Sequence, residues 1–317
     1  MTQPAASSAP HDPRVHADLP QLRALAQGAR HLSLLPRQPS HSVLNGRHAS
    51  KLRGRGLNFE ELRDYQTGDD IRSIDWKVTA RTGTPHVRVY TEERDRPALL
   101  LVDQRMSMFF GSRVYMKSVV AAEAAAISAH RLLAQGDRVG GLVFGGDSIA
   151  EHRPVRSHAA LTRLLASIAG ANARLHAEAR DTGGQDTLNR VLQAATRIAK
   201  TNYLVLVFSD FDGVTADTEP LLRALAMNND LLLFSVSDPL AGTLPDRFRL
   251  TASDGQLQAE FDSAQERTRE RLSAAMRDRL RDVSDWARRY GAPFLSLSTD
   301  APALGQMLQL FGHRGGR

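Results

Sequence analysis

Apolar and polar positions divide the chain near residue 96. From residue 97 onward, short continuous apolar runs alternate with longer stretches of helical spacing. Residues 98–103, 138–144, 203–210, 231–236 and 293–298 read as strands. Their apolar residues are consecutive rather than alternating, as expected of strands covered on both faces. Between them, helices are expected over 116–135, 158–168, 187–199, 219–227 and 263–290, with a last one over 303–311. Gly145-Gly146-Asp147 predicts a hairpin into a further strand over 148–155. Alternation about Ser253-Asp254-Gly255 predicts a second hairpin near 247–261. Strands alternating with helices give an α/β fold, a mostly parallel sheet with helices on both faces.

The earlier part of the chain reads differently. Residues 1–18 lack periodicity and are expected to form a disordered leader, with neither a secretory signal pattern nor a membrane-length apolar run. Leu22, Leu25 and Ala26 suggest a short helix within 19–35. Residues 36–96 are rich in Gly, Asp and Arg with short β-like pieces such as 86–90. The expected organisation is a leader over 1–18, an N-terminal β-rich arm over 19–96, and an α/β domain over 97–317 that carries the inserted hairpin.

Composition narrows the chemistry. With 42% hydrophobic and 24% charged residues among 317, the chain can bury a large core. It contains no cysteine, which excludes disulfides, thiol catalysis and cysteine metal sites and suits a reducing cytoplasm. A net charge of +6 raises nucleic acid as a ligand. The arginines are interleaved with acids, however, and aromatics are scarce, so no stacking platform is visible. The densest basic stretch is Arg47, Lys51, Arg53 and Arg55. No phosphate-binding glycine motif, Gly-x-Ser-x-Gly elbow or His-x-x-x-His spacing is present. His152 and His158 read as solvated.

Two expected strands end in aspartate, Asp103 and Asp210. In open α/β sheets, ligands bind beyond the carboxyl ends of strands, so these two carboxylates are the first site candidates. Either alone is explained as a cap; the pair is harder to explain that way.

The run from Phe59 to Arg81, FEELRDYQTGDDIRSIDWKVTAR, followed by Val87-Arg88-Val89-Tyr90 and Glu92-Glu93-Arg94-Asp95, resembles the signature of the bacterial domain-of-unknown-function 58 family. The likeness spans roughly residues 30–310 and is sharpest over 54–111. That family is similar to von Willebrand factor A domains, so the resemblance implies that fold. It also implies a partner, since members are often encoded beside MoxR-type AAA+ ATPases and are thought to act with them in assembly.

The resemblance further implies an ion site of the form Asp-x-Ser-x-Ser, with a Thr and a second Asp from later loops. Mg²⁺ suits such hard oxygen ligands. Asp103 and Ser107 match the first motif, Thr187 the threonine and Asp210 the second aspartate. Arg105 stands where a serine belongs, and a guanidinium has no acceptor with which to hold a cation. Either Arg105 points inward and takes the metal's place between Asp103 and Asp210, or it swings out and a weakened metal site survives. The first is the expectation, with no cofactor and no Mg²⁺ required.

In the signature, Arg63, Asp69, Asp70 and their charged neighbours are expected to form an Arg–Asp network that holds the arm on the domain. Trp76 is expected to anchor in the core. Arg105, Asp212, Arg63, Asp69, Asp70 and Trp76 are the partner-binding candidates, and no catalytic residue is assigned. The function expected is a non-enzymatic protein-binding adaptor working with a MoxR-type AAA+ ATPase. The alternatives are a metal-dependent hydrolase using Asp103 and Asp210, and a basic nucleic-acid binder.

Overall fold

The computed structural model describes residues 12–34, 57–66, 71, 74–92, 96–146, 148–177, 186–241, 249–253, 258–262 and 266–312. These divide into two units. The larger, the body, comprises residues 12–34 and those from 96 onward; the smaller, the arm, comprises residues 57–92.

The body begins with two short helices, α1 (Leu19–Ala24) and α2 (Ala26–Ala29). The arm holds β1 (Leu57–Asp64), α3 (Trp76–Thr82) and β2 (His86–Glu92). The chain then re-enters the body through β3 (Pro97–Asp103), α4 (Lys117–Ala134), β4 (Arg138–Gly145) and β5 (Ser148–Val155). Next come α5 (His158–Asn172), α6 (Thr187–Ile198), β6 (Leu204–Ser209), α7 (Thr218–Asn228) and β7 (Asp230–Ser237). The hairpin β8 (Arg249–Ser253) and β9 (Gln258–Asp262) follows, then α8 (Glu266–Arg289), β10 (Phe294–Ser298) and α9 (Ala303–Phe311). All five expected core strands form, and both expected hairpins are present.

Six strands make one sheet in the order β10-β7-β6-β3-β4-β5. Five are parallel; β5 joins the edge antiparallel to β4. Period two sorts each central strand between two cores. Ala98, Leu100 and Val102 of β3, with Leu206 and Phe208 of β6, face a layer containing α1, α2, α4, α5 and α9. Leu99 and Leu101, with Val205 and Val207, face α6, α7 and α8. Helix α4 lies so deep that every residue from Ser118 to Ala129 is buried. Its alanines give the surrounding helices room to approach. Among the described residues, no helix is long and apolar enough to cross a membrane.

The N-terminal expectations need correction. Residues 12–18, taken from composition as part of a disordered leader, are packed: the Ala17 amide donates to Asn172 Oδ1 at 2.8 Å, and the Met116 amide to the Arg14 carbonyl at 2.9 Å. The helix expected within 19–35 is two short ones meeting at Leu25. Leu22, Ala29, Leu32 and Leu34 are almost wholly buried in the first core, so this segment belongs to the body and not to the arm. Their hydrophobicity is an ordinary driving force that no local pattern assigns to a particular unit.

In the arm, β1 and β2 pair antiparallel with a register shift between Phe59 and Glu61. Asp75 caps α3 by accepting from the Lys77 and Val78 amides at 3.0 and 3.2 Å, and Gly83 ends it in the left-handed conformation.

Candidate functional site

The strand order reverses at β3. The chain goes from β3 to β4 on one side and returns to β6 on the other, so the crevice at the carboxyl ends of β3 and β6 is the topological switch point. Val102 pairs with Phe208, which brings Asp103 level with Ser209 and next to Asp210. The two candidate carboxylates share one edge.

Arg105 points inward. It heads a short 3-10 turn, Met106–Met108, and its own amide donates to Asp103 Oδ1 at 3.0 Å. Its Nε donates to the same Oδ1 at 3.0 Å, and Nη2 to Oδ2 at 2.6 Å. Nη1 donates to the Asp212 carbonyl at 2.9 Å, and Nη2 lies 3.7 Å from Asp210 Oδ1. The guanidinium also lies over the Phe144 ring, 5.7 Å from its centroid. Burial alone would lower its pKa, but Asp103 outweighs that, with help from Asp210 and Asp212, and the group is held charged.

Asp210 has a second cation. Lys117 Nζ, at the first residue of α4, approaches Asp210 Oδ2 to 2.6 Å. The Asp212 amide donates to Oδ1 at 3.0 Å, and Ser107 Oγ lies within 3.4 Å of it. Burial pushes the Asp210 carboxyl up, but Lys117 and Arg105 overcome this and hold it far below the usual carboxylate range. Ser209 Oγ donates to Asp103 Oδ2 at 2.6 Å and accepts from the Phe211 amide at 2.9 Å. Phe211 has φ +55° although it is bulky and buried. Its left-handed backbone turns the Asp212 amide toward Asp210, local strain of the kind found at ligand-binding sites. The Asp212 carboxylate is paired with Arg279 of α8.

A fourth carboxylate closes the edge. Asp238, directly after β7, accepts from the Ser112 amide at 2.8 Å, from Ser112 Oγ and Thr299 Oγ1 at 2.5 Å each, and from the Leu240 amide at 2.9 Å. Burial works against its ionised form, and these bonds more than compensate. Asp238 thereby ties the 109–115 loop to β7 and to the end of β10. Behind Asp103, Gln104 donates to the Ser118 carbonyl at 3.0 Å and accepts from Asn172 Nδ2 at 2.8 Å, which links the loop to residues 12–18.

Asp103, Arg105, Ser107, Asp210 and Asp212 therefore come together. Thr187 is buried at the start of α6, while the Gly183-Gly184 pair before it lies outside the described residues. Lys117, Ser209, Arg279 and Asp238 were missed. Asp238 follows the same rule of a strand ending in aspartate and was legible; Lys117 and Arg279 are single cations far along the chain.

In the arm, Asp69, Asp70 and Arg72 lie outside the described residues, as do Arg47, Lys51, Arg53 and Arg55. Arg63 donates to the Asp64 carbonyl at 3.1 Å. Trp76 is not a core anchor: it stands 65% exposed on α3, which has no buried residue, and Ile71 is 62% exposed. His152 is not simply solvated either, since its Nε2 lies 2.8 Å from Ser167 Oγ.

The donor set does not fit a magnesium ion. Both Asp103 oxygens accept from the guanidinium, Asp210 is held by an ammonium, and neither cation can act as a ligand. Among the described residues, no group of three or more His, Cys, Asp or Glu side chains could hold a metal.

A family model described as "Protein of unknown function DUF58" matches residues 61–281. Uncharacterized proteins of Mycobacterium bovis and of two Mycobacterium tuberculosis strains are each 32% identical over 322 residues, covering 99% of this chain and 97% of the relative. Among solved structures, the conserved hypothetical protein BatB from Bacteroides thetaiotaomicron aligns at 14% identity with a TM-score of 0.41, covering 68% of this chain and 99% of that one.

Proposed function

The chain belongs to the DUF58 family of proteins of unknown function, and we propose that it is a non-enzymatic, protein-binding adaptor of von Willebrand factor A type. One observation carries the reading. Among the described residues, the three carboxylates at the ends of β3 and β6 are each committed: Asp103 to Arg105 and Ser209, Asp210 to Lys117, and Asp212 to Arg279. A nucleophile or general base needs a free lone pair within reach of a substrate. A hydrolase built on Asp103 and Asp210 would first have to break buried ion pairs, at several kcal/mol each by the usual scale of about 3–5 kcal/mol. A fixed, charge-balanced edge suits recognition better. Around it, Met106, Ser107, Phe109 and Phe110 are half-buried and Val114 is 41% exposed, a mixed apolar and polar rim of the kind that binds proteins. In the arm, exposed Trp76 and Ile71 supply a second contact surface.

The partner proposed is a MoxR-type AAA+ ATPase, on the strength of the family resemblance. Co-purification of the tagged full chain with such an ATPase from the same genome tests this. Met106→Asp at the rim and Trp76→Ala in the arm are each expected to lower recovery about tenfold or more while leaving the melting temperature in place. Recovery unchanged in both variants, or no complex with the native chain, refutes the reading.

A further inference from the structure

We infer that Arg105 and Lys117 are the resident cations of the strand-end site, and that the native chain thereby excludes a divalent ion from it. This concerns the isolated chain and does not rest on the partner reading.

Charge comes first. Of the carboxylates at this edge, Asp103, Asp210 and Asp212 are answered one for one by Arg105, Lys117 and Arg279. Asp238 is held by hydroxyl and amide donors instead. A dication entering between Asp103 and Asp210 would meet carboxylates already neutralised by the guanidinium and the ammonium, and would face both of those like charges at short range. Arg105 cannot leave cheaply, because it is 6% exposed and packed on Phe144.

Lone pairs come second. The Ser209 proton is committed to Asp103 because the same oxygen accepts from the Phe211 amide. Ser107 Oγ offers its proton to Asp210. Donation leaves lone pairs on both oxygens, but the carboxylates with which they would share an ion are already paired with cations.

The position of Lys117 is independent support. It is the first residue of α4, where the helix dipole disfavours a cation, and no acidic residue in the first turn compensates. A lysine is tolerated there because Asp210 requires it. Arg105, for its part, joins Asp103 at the end of β3 to the Asp212 carbonyl beyond β6. It supplies the cross-link between loops that a bound cation would otherwise provide.

Thermal melting and isothermal calorimetry of the purified full chain with MgCl2 and MnCl2 test the inference. The native chain is expected to give no saturable heat, and the same melting temperature in EDTA as in millimolar Mg²⁺. The double variant Arg105→Ser, Lys117→Ala leaves two carboxylates without cations. It is expected to melt lower than the native chain, to recover part of the loss when Mn²⁺ is added, and to give a saturable Mn²⁺ isotherm where the native chain gives none. Arg105→Lys keeps the charge and is expected to bind no ion. Saturable, micromolar binding by the native chain that disappears in Asp103→Ala overturns the inference, and this arm decides even if the double variant does not fold. A folded double variant that fails to take up Mn²⁺ overturns it as well.

Discussion

Asp210 is enclosed by protein and still ionised, because an ammonium at 2.6 Å and a guanidinium at 3.7 Å favour the charged form more than burial disfavours it. This has a signed consequence. A native carboxyl held below its unfolded value binds no proton where the unfolded chain already does. Its contribution to stability is therefore complete above the unfolded carboxylate value, about pH 4, and drains away as the pH falls below that toward the native value. Melting of the native chain from pH 7 to pH 3 is expected to show a loss of stability below about pH 4 that is smaller in Asp210→Asn, whose baseline is lower at neutral pH. Removing Asp103 is expected to be worse, since it leaves a buried guanidinium without its main partner. Asp103→Ala should cost about 3–5 kcal/mol, read as a lower urea midpoint with an unchanged slope. At this scale, Asp103 and Asp210 were legible because a strand ending in aspartate is local in sequence, and Arg105 and Ser107 through the family resemblance. Lys117 was not, because a single lysine at a helix start carries no sign of the carboxylate it will meet 93 positions later.

Among the elements, β4 shows how backbone space decides strand packing. A Cβ on Gly140 would lie 2.4 Å from the His152 carbonyl oxygen of β5, and the register of the pair shifts between Val139 and Gly141. The glycine lets the antiparallel edge strand close over an irregular step. Gly140→Ala is expected to destabilise the body by about 1–3 kcal/mol, the usual cost of forcing atoms into filled space, and a chemical denaturation curve would show it. Wild-type stability in that variant would mean that β5 yields easily. The strands and helices were legible because buried parallel strands require consecutive apolar residues and their helices require period 3.6. The break at Leu25 and the packing of residues 12–18 were not. They depend on Asn172, Met116 and the α4 surface, none of which is near in sequence.

For the whole molecule, the division into body and arm places one tryptophan in each unit: Trp76 in the arm, 65% exposed, and Trp286 on α8, packed against the second core. Each can be followed alone. With Trp286→Phe, the remaining emission is expected to be solvent-like and readily quenched by acrylamide in the native state. With Trp76→Phe it should be blue-shifted and protected, moving to longer wavelength only on unfolding. A protected Trp76 would contradict the exposed face on which its contact role rests. Sequence by itself determined the fold class and the strand ends that carry aspartate, because periodicity and residue chemistry act over a few positions; the oddity of Arg105 came from the family resemblance. Only the tertiary structure decided that Arg105 turns inward, that Lys117 and Arg279 complete the charge balance, that Trp76 faces outward and that the N-terminal segment joins the body. Those outcomes depend on which distant groups become neighbours, and burial and Coulomb energy are set by neighbours in space.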